Sequence, residues 1–498
     1  MVRVRLRVTQ NQTSLDSDVV VVGAGPAGTT TASYIARAGF NVILVDQQKF
    51  PREKICGDFI SPVAMTELKK LGITDVPEYR KANVIRTAAL YLDGKRLISR
   101  SIPLIEGLPS HGLVIPRVTL DNLLLNSAVE SGVHFMEDLR FVEYQRSSDR
   151  LVLSFKSPTG VQSLQTKLLI GADGSNSVAS RLLRGHSPSN DNRIMGVRAY
   201  FEGVEGPPDR ADLYFTSESF PGYCWLFPTD ESQANVGVGM ALNTFPRTDT
   251  NLLKLISRLI NEDPALHERL HKATMTSKAT GWPLTTYNPR LPIIGDRIML
   301  VGDAAGLINP LNGEGIQNAL LSGRWASDVA TSCITRNDLS EKALSVYSDR
   351  VERELRYDMA LSSLIVQLIR NRSLNPMWLY TLQIISNRVR IDSEYARITG
   401  GILAGLVPAS EVVSVKIIGR TLKQLAFSTT LNTALTLLRG RRQLTKASLG
   451  IARNGFDITL NTMIHPLSFL RWGWRSVAGA AELATQFYKH SINDAEQM

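Results

Sequence analysis

Gly23, Gly25 and Gly28 stand in the stretch GAGPAG with the spacing GxGxxG. At that spacing the first glycine permits a tight turn, the second lets a pyrophosphate approach the backbone, and the third lets a helix pack closely on a strand. The N–H groups that open the following helix have no partner within it and face such an anion. Asp46 stands eighteen residues after Gly28, where a carboxylate can accept from ribose hydroxyls. The chemistry is dinucleotide binding, and the spacing alone leaves FAD and NAD both open.

Two further groups of residues can do chemistry. The stretch FPREKICGDF, residues 50–59, places the cations Arg52 and Lys54 just before Cys56 and Gly57. A cysteine there can serve as a small polarizable wall and a proton donor, or be a packed small hydrophobe. In FPGYCWLFP, residues 220–228, Tyr223, Trp225 and Phe227 alternate, so on a strand they share one face. Such a face can line a long apolar substrate or pack a core. The seven histidines show no metal-ligand spacing, and no Ser-His-Asp or paired-carboxylate arrangement stands out, so no metal site is expected.

These residues need elements to hold them. Residues 18–22 (DVVVV) form a β-branched run suited to a strand buried on both faces. Residues 29–37 continue from the glycines as a helix, Gly39 caps it, and residues 41–46 (NVILVD) supply a second buried strand. Strand-like stretches gather at 88–98, 140–155, 167–170, 196–202 and 234–240, predicting a mixed or antiparallel lobe interleaved with the nucleotide domain. Residues 298–301 make another buried strand before GDAAG. From residue 339 the chain reads as mainly helical, with Leu344, Tyr347, Val351 and Leu355 as one apolar stripe. The expected fold is α/β: a dinucleotide-binding Rossmann-like domain (17–192 and 286–350) interleaved with a mixed or antiparallel β-sheet substrate lobe (75–112 and 193–285). A helical region (351–414) and a basic helical extension (415–498) follow.

Two later segments narrow the cofactor by resemblance. LLIGADGSNSVASR, which holds Asp173, and IMLVGDAAGLINPLNGEGIQNAL, which holds Asp303, resemble the two Gly-Asp signatures of the flavoprotein monooxygenase superfamily with the p-hydroxybenzoate hydroxylase-like fold. The resemblance implies FAD, with Asp303 on the ribityl chain and the turn of Gly313 and Gly315 against the isoalloxazine. It also implies Asp173 among the cofactor residues, and Arg117 in PRVTLDNLL near the phosphates; Arg52 is expected to bind the cofactor too, or a substrate diphosphate. The residue chemistry agrees: a carboxylate at a strand end can accept from a polyol, and the two glycines let backbone N–H groups approach a flat ring.

Within that superfamily, FPREKICGDFISPVAMTELKKLGI resembles the geranylgeranyl reductase family. FPGYCWLFP is similar to that family's PxxYxWxFP, with one residue fewer between Pro221 and Tyr223. The resemblance, which spans residues 18–410, implies a reductase that saturates C=C bonds in a prenyl lipid or prenylated quinone, with Cys56, Tyr223 and Trp225 at the catalytic centre. NAD(P)H or a reduced carrier protein is the expected electron donor. The alternative is an FAD-dependent monooxygenase or halogenase acting through a flavin hydroperoxide on an aromatic or other apolar substrate. The flavin halogenases carry WxWxIP, whereas YCWLFP lacks the first Trp and the Ile.

Composition sets the outer limits. A chain of 498 residues with 43% apolar and 20% charged residues exceeds one core and is ordinary for a folded protein. Three widely separated cysteines give no disulfide framework, which points to a reducing compartment. No uncharged apolar run reaches the length of a spanning helix, the best being the fifteen residues 424–438. Of the net charge of +10, +7 lies in residues 415–498, where eleven Lys/Arg face four Asp/Glu. Arg439, Arg441, Arg442 and Lys446 accompany apolar stretches there, and Trp472 and Trp474 lie within RWGWR. That combination predicts a helix lying on an anionic membrane surface, with the protein cytoplasmic and peripheral on the inner membrane face. No nucleic-acid motif accompanies the charge, so no nucleic acid partner is expected.

Overall fold

A computed structural model describes residues 15–217, 219–246, 251–403 and 462–497. Strand Leu15–Val22 lies in the middle of an eight-stranded sheet. It pairs in parallel with Gly160–Gly171 on one side (Val20 opposite Leu169) and with Val42–Val45 on the other (Val20 opposite Ile43). Both faces of this strand are covered, which is why Val19 to Val22 are uniformly apolar and buried. Helix Pro26–Arg37 returns across the sheet and packs on helix Ile316–Thr335. The chain beyond it turns at Gly39, whose φ of +90° suits a residue without a side chain.

A second eight-stranded sheet carries Thr87–Leu92, Lys95–Ser101, Arg193–Glu202, Arg210–Phe215, Tyr223–Pro228 and Gln233–Ala241, with Thr280–Thr285 and Thr274–Met275 at its edge. It is antiparallel except where Arg210–Phe215 runs parallel to Thr87–Leu92. A third, small sheet joins Phe59–Ile60, Gly112–Val114 and Asn83–Ile85. The α/β class, the interleaved sheets and the helical continuation agree with the sequence expectation. We propose the domain division given above along these sheets.

Two expectations need correction. The stretch 88–98 is a hairpin, not one strand, because Asp93 and Gly94 both take positive φ (46° and 73°) and reverse the chain. The stretches 140–155 and 167–170 belong to the first sheet: Arg140–Arg146 and Leu151–Ser157 form a hairpin on the first half of the long strand Gly160–Gly171. That strand's second half runs beside Leu15–Val22.

Helix Glu341–Ile369 buries Leu344, Tyr347, Val351 and Leu355 on one face, as their spacing predicts. Helix Pro466–Gln497 packs along it. Arg439, Arg441, Arg442, Lys446 and the apolar run 424–438 lie outside the described residues. Trp472 is corrected as an interfacial residue: its indole N–H donates to the Gln367 carbonyl at 2.9 Å, inside the contact with helix Glu341–Ile369. Among the described residues, no helix is long and apolar enough to cross a membrane.

Candidate functional site

The glycine turn follows directly from Leu15–Val22. Gly23 has φ +104°, and a Cβ there would strike the Ala172 carbonyl; a Cβ on Gly28 would strike the Gly23 carbonyl oxygen. These two glycines are required by the protein's own packing. Gly25 differs, because the nearest atoms to a Cβ there are Arg52 Nη2 at 3.8 Å and Arg117 Nη2 at 3.9 Å. The second glycine therefore looks out at two guanidinium groups.

Asp121, fully buried, aims both of them. It accepts from Arg117 Nε at 2.6 Å and Nη2 at 2.8 Å, and from Arg52 Nη1 at 2.9 Å. Burial works against the Arg117 charge, and Asp121 more than restores it, so that Arg117 titrates above its ordinary value. Asp46 closes this end: it accepts from Ala24 N at 2.9 Å and Gln48 N at 2.9 Å, and Arg52 Nη2 lies 3.4 Å from it.

Asp303 follows strand Ile298–Leu300, in the short helix Gly302–Ala305, and accepts from the Ser175 hydroxyl at 3.0 Å. A Cβ on Gly315 would stand 3.4 Å from Asp303 Oδ1, and Gly313 has φ +73°. Gly315 thus keeps a backbone surface bare beside the carboxylate, and Gly313 one beside the Tyr223 hydroxyl. Asp173 serves the backbone instead. It accepts from Val178 N at 2.6 Å, from Ala179 N at 3.2 Å and from the Ser177 hydroxyl, so it holds the start of helix Val178–Arg184. Only the turn around it is left to face a ligand.

Strand Tyr223–Pro228 alternates, with Cys224, Leu226 and Pro228 buried behind it and Tyr223, Trp225 and Phe227 on the open face. Ring centroids along that face are 6.3 Å apart in both steps. The Tyr223 hydroxyl donates to the Asn312 carbonyl at 2.9 Å, tying the wall to the Gly313 turn, and burial pushes its pKa up to about 12. Gly57 sits directly on the wall: a Cβ there would be 3.2 Å from the Phe227 ring and 3.5 Å from Trp225 Nε1. Cys56 beside it is partly buried; burial raises its thiol pKa, Arg117 opposes this, and Asp58 adds to it. Lys54 Nζ lies 3.9 Å from the centre of the Trp282 ring, and burial lowers it to about 8 against the pull of Asp303.

A single cavity of about 1750 Å³ joins these parts. Its wall includes every residue singled out from the sequence as catalytic or cofactor-binding except Gly28, whose place is in the packing beneath. It continues as a mainly apolar arm that includes Ile98, Ile102, Ile365, Leu382 and Val389, with Arg100, Arg390, Asp392 and Arg397 also in its wall. Sequence reasoning missed Asp121, Asp58, Tyr200 and Asn235. Asp121 could have been found from its i,i+4 spacing to Arg117, and Asn235 as the one amide in the apolar strand segment ANVGVGMA.

The FAD binding domain family model matches residues 16–321. Menaquinone reductase from Mycobacterium tuberculosis is 32% identical over 351 residues, covering 68% of this chain and 81% of that protein. Digeranylgeranylglycerophospholipid reductase 2 from Methanopyrus kandleri is 31% identical over 351 residues, covering 68% and 83%. Among solved structures, a geranylgeranyl bacteriochlorophyll reductase-like protein from Thermoplasma acidophilum superposes with a TM-score of 0.64 at 23% identity, covering 83% of this chain and 96% of that one. The flavin-dependent brominase Bmp2 superposes with 0.65 at 18% identity, covering 83% and 99%. At these identities the structural likeness speaks for the fold.

FAD fits the residues present. The bare Gly25 backbone under two guanidiniums suits a pyrophosphate, and Gly313 and Gly315 beside Asp303 suit a polyol and a flat ring. The cavity exceeds the roughly 300–1,000 Å³ of an ordinary small-molecule site, which leaves room for a second ligand.

Proposed function

The chain belongs to the FAD binding domain family, together with the menaquinone and digeranylgeranylglycerophospholipid reductases, and is an FAD-dependent oxidoreductase; from that premise we propose that it saturates C=C bonds in a prenyl lipid or a prenylated quinone. The observation that carries the reading is the continuity of the cavity. The glycine-turn compartment shares one cavity, past Gly57 and the rings of Tyr223, Trp225 and Phe227, with an arm lined mainly by apolar side chains, Ile98, Ile102, Ile365, Leu382 and Val389, beside which Arg100, Arg390, Asp392 and Arg397 also line the wall.

Reduced FAD, when bound, supplies a hydride. Arg52 and Arg117 bind its phosphates, Asp303 takes ribityl hydroxyls, and the turn of Gly313 and Gly315 receives the ring. The aromatic wall and the apolar arm hold the prenyl chain and exclude water, so that an unactivated double bond is kept in place. Cys56 donates a proton to the carbon that does not receive hydride, and the product gains two hydrogens. Tyr223, tied to Asn312, keeps the wall in register with the flavin turn.

NAD(P)H or a reduced carrier protein is the proposed electron donor. Peripheral attachment to an anionic membrane surface on the cytoplasmic side is proposed for delivery of the lipid. It is supported by exposed Met463, Ile464, Leu467, Leu470, Trp474 and Val477 on and before the last helix.

The deciding experiment is anaerobic incubation of the dithionite-reduced holoenzyme with a mixture of prenyl lipids and prenylated quinones, read by mass. A gain of two hydrogens on a prenyl compound is the expected result. The second reading, oxygen-dependent hydroxylation or halogenation, is favoured by the fold shared with the brominase. Turnover that requires oxygen or halide would establish it instead.

A further inference from the structure

Beside the aromatic wall, on the same face of its sheet, lies a buried hydrogen-bonded group. Asp58 is fully buried and takes φ +65°, a left-handed conformation that Asp tolerates better than most residues. Its Oδ2 accepts from the Tyr200 hydroxyl at 2.6 Å and from Asn235 Nδ2 at 2.7 Å, while its Oδ1 is buried without a hydrogen-bond partner. The second N–H of the same Asn235 amide donates to the Cys56 carbonyl at 2.8 Å, and Asn235 Oδ1 accepts from Trp225 Nε1 at 3.0 Å. One buried amide therefore joins the Cys56–Asp58 turn to the indole of the wall. The backbone adds two ties: Asp58 N–H points to Cys56 Sγ at 3.4 Å, and Asp58 O accepts from Ile115 N at 3.0 Å.

Holding a turn requires hydrogen bonds but not a charge. A neutral side chain could accept from Tyr200 and Asn235 without burying a carboxylate oxygen that has no partner, an arrangement that costs stability. The charge must act on something nearby. The groups facing Cys56 are Arg117 and Asp58, with Tyr200 also acting on it; Lys54 lies within electrostatic reach, and Arg198 faces Asp58. Arg117 favours the thiolate. Asp58 is the group that opposes it: burial lifts its carboxyl to about 6, against the Tyr200 and Asn235 donors, and above that pH it carries the opposing charge.

We infer that Asp58 is a positioning residue for Cys56, its carboxylate keeping the thiol protonated against Arg117 and its link through Asn235 fixing the Cys56–Gly57 turn to Trp225. This rests on the reading of Cys56 as proton donor. In that step the S–H bond breaks and a C–H bond forms on the carbon opposite the hydride acceptor. The sulfur keeps the electron pair as a thiolate beside Arg117 and regains a proton from water before the next turnover.

The test is alkylation of the FAD-loaded protein with iodoacetamide from pH 6 to 10, following the Cys56 peptide by mass; the buried Cys224 and Cys333 report on the integrity of the fold. Asp58→Asn keeps an acceptor and removes the charge. It is expected to lower the alkylation midpoint by about one pH unit, making Cys56 roughly tenfold faster at pH 7.5. Asn235→Ala keeps the charge and frees the turn, and is expected to speed alkylation at every pH without moving the midpoint. A wild-type midpoint in Asp58→Asn overturns the electrostatic role, and a wild-type rate in Asn235→Ala overturns the clamp. If Asp58→Asn loses its flavin spectrum, Asn235→Ala decides alone. Alkylation needs no substrate, so a wild-type protein that reduces no prenyl compound sinks the proposed function without touching this result.

Discussion

Arg117 and Asp121 lie one helical turn apart and form a two-point ion pair, Nε to Oδ1 at 2.6 Å and Nη2 to Oδ2 at 2.8 Å. The same carboxylate takes Arg52 at 2.9 Å, so one buried anion orients both cations that face Gly25. Removing it leaves two guanidiniums with a missing partner. Asp121→Ala is expected to lose about 3 kcal/mol of stability, the scale for breaking a buried pair, and to release FAD on desalting. Urea unfolding of the flavin-free protein and the absorbance of the desalted protein measure the two effects. A variant as stable and as yellow as wild type would show that the guanidiniums are held by other groups.

The three glycines of the turn should separate in their effects. Gly28→Ala drives a methyl into the Gly23 carbonyl and is expected to prevent folding. Gly25 has φ −80° and ψ −176°, which alanine adopts freely, and its Cβ would meet nothing closer than 3.8 Å. Gly25→Ala should therefore fold with stability within about 0.5 kcal/mol of wild type. It should bind FAD at least ~10-fold more weakly, about 1.4 kcal/mol, because the methyl stands where the pyrophosphate approaches. Titration of the flavin-free protein with FAD checks this, and unchanged affinity would move the phosphate away from Gly25.

The contrast shows what the sequence made legible. Gly23, Gly25, Gly28 and Asp46 were readable because they are local: two adjacent strands, one turn and one helix fix their relations. Tyr223, Trp225 and Phe227 were readable as one face because a strand has period two. Asn235 and Tyr200 were not, because they reach Asp58 from strands 177 and 142 residues further along the chain, and only sheet pairing brings them together. Asp173 was legible as part of a signature but not in its role, since whether a carboxylate faces a ligand or the start of its own helix depends on a turn of four residues. Trp472 and Trp474 read alike in RWGWR, yet the helix turns one inward and the other outward.

Stability should depend on pH through Asp58. Its folded pKa of about 6 lies above the ordinary 3.8, so the folded state binds this proton more tightly than the unfolded chain does. The resulting stabilisation is fully present below pH 3.8 and is lost as pH rises through 6. Two units correspond to about 3 kcal/mol at most. Asp58→Asn removes this dependence, so the variant should gain on wild type between about pH 4 and pH 7. Urea midpoints across that range give the difference, and two parallel curves would mean that the carboxyl is not raised.

Trp472 and Trp474 supply the test of membrane attachment. Trp474 is 77% exposed and shares the outer face of the last helix with Leu467, Leu470 and Val477, all at least 65% exposed, whereas Trp472 donates to Gln367 in the contact with helix Glu341–Ile369. Apolar side chains at that spacing can enter the headgroup region, with Arg471 nearby to meet anionic lipid at roughly 1 kcal/mol per cation. Trp474→Glu is expected to reduce cosedimentation with anionic phospholipid vesicles at least ~10-fold, equivalent to about 1.4 kcal/mol, while melting and flavin absorbance stay as in wild type. Trp472→Ala should do the reverse, lowering the melting temperature through a lost packing contact of about 3 kcal/mol. If Trp474→Glu sediments with vesicles as wild type does, this face does not meet the bilayer, and the lipid must reach the apolar arm by another route.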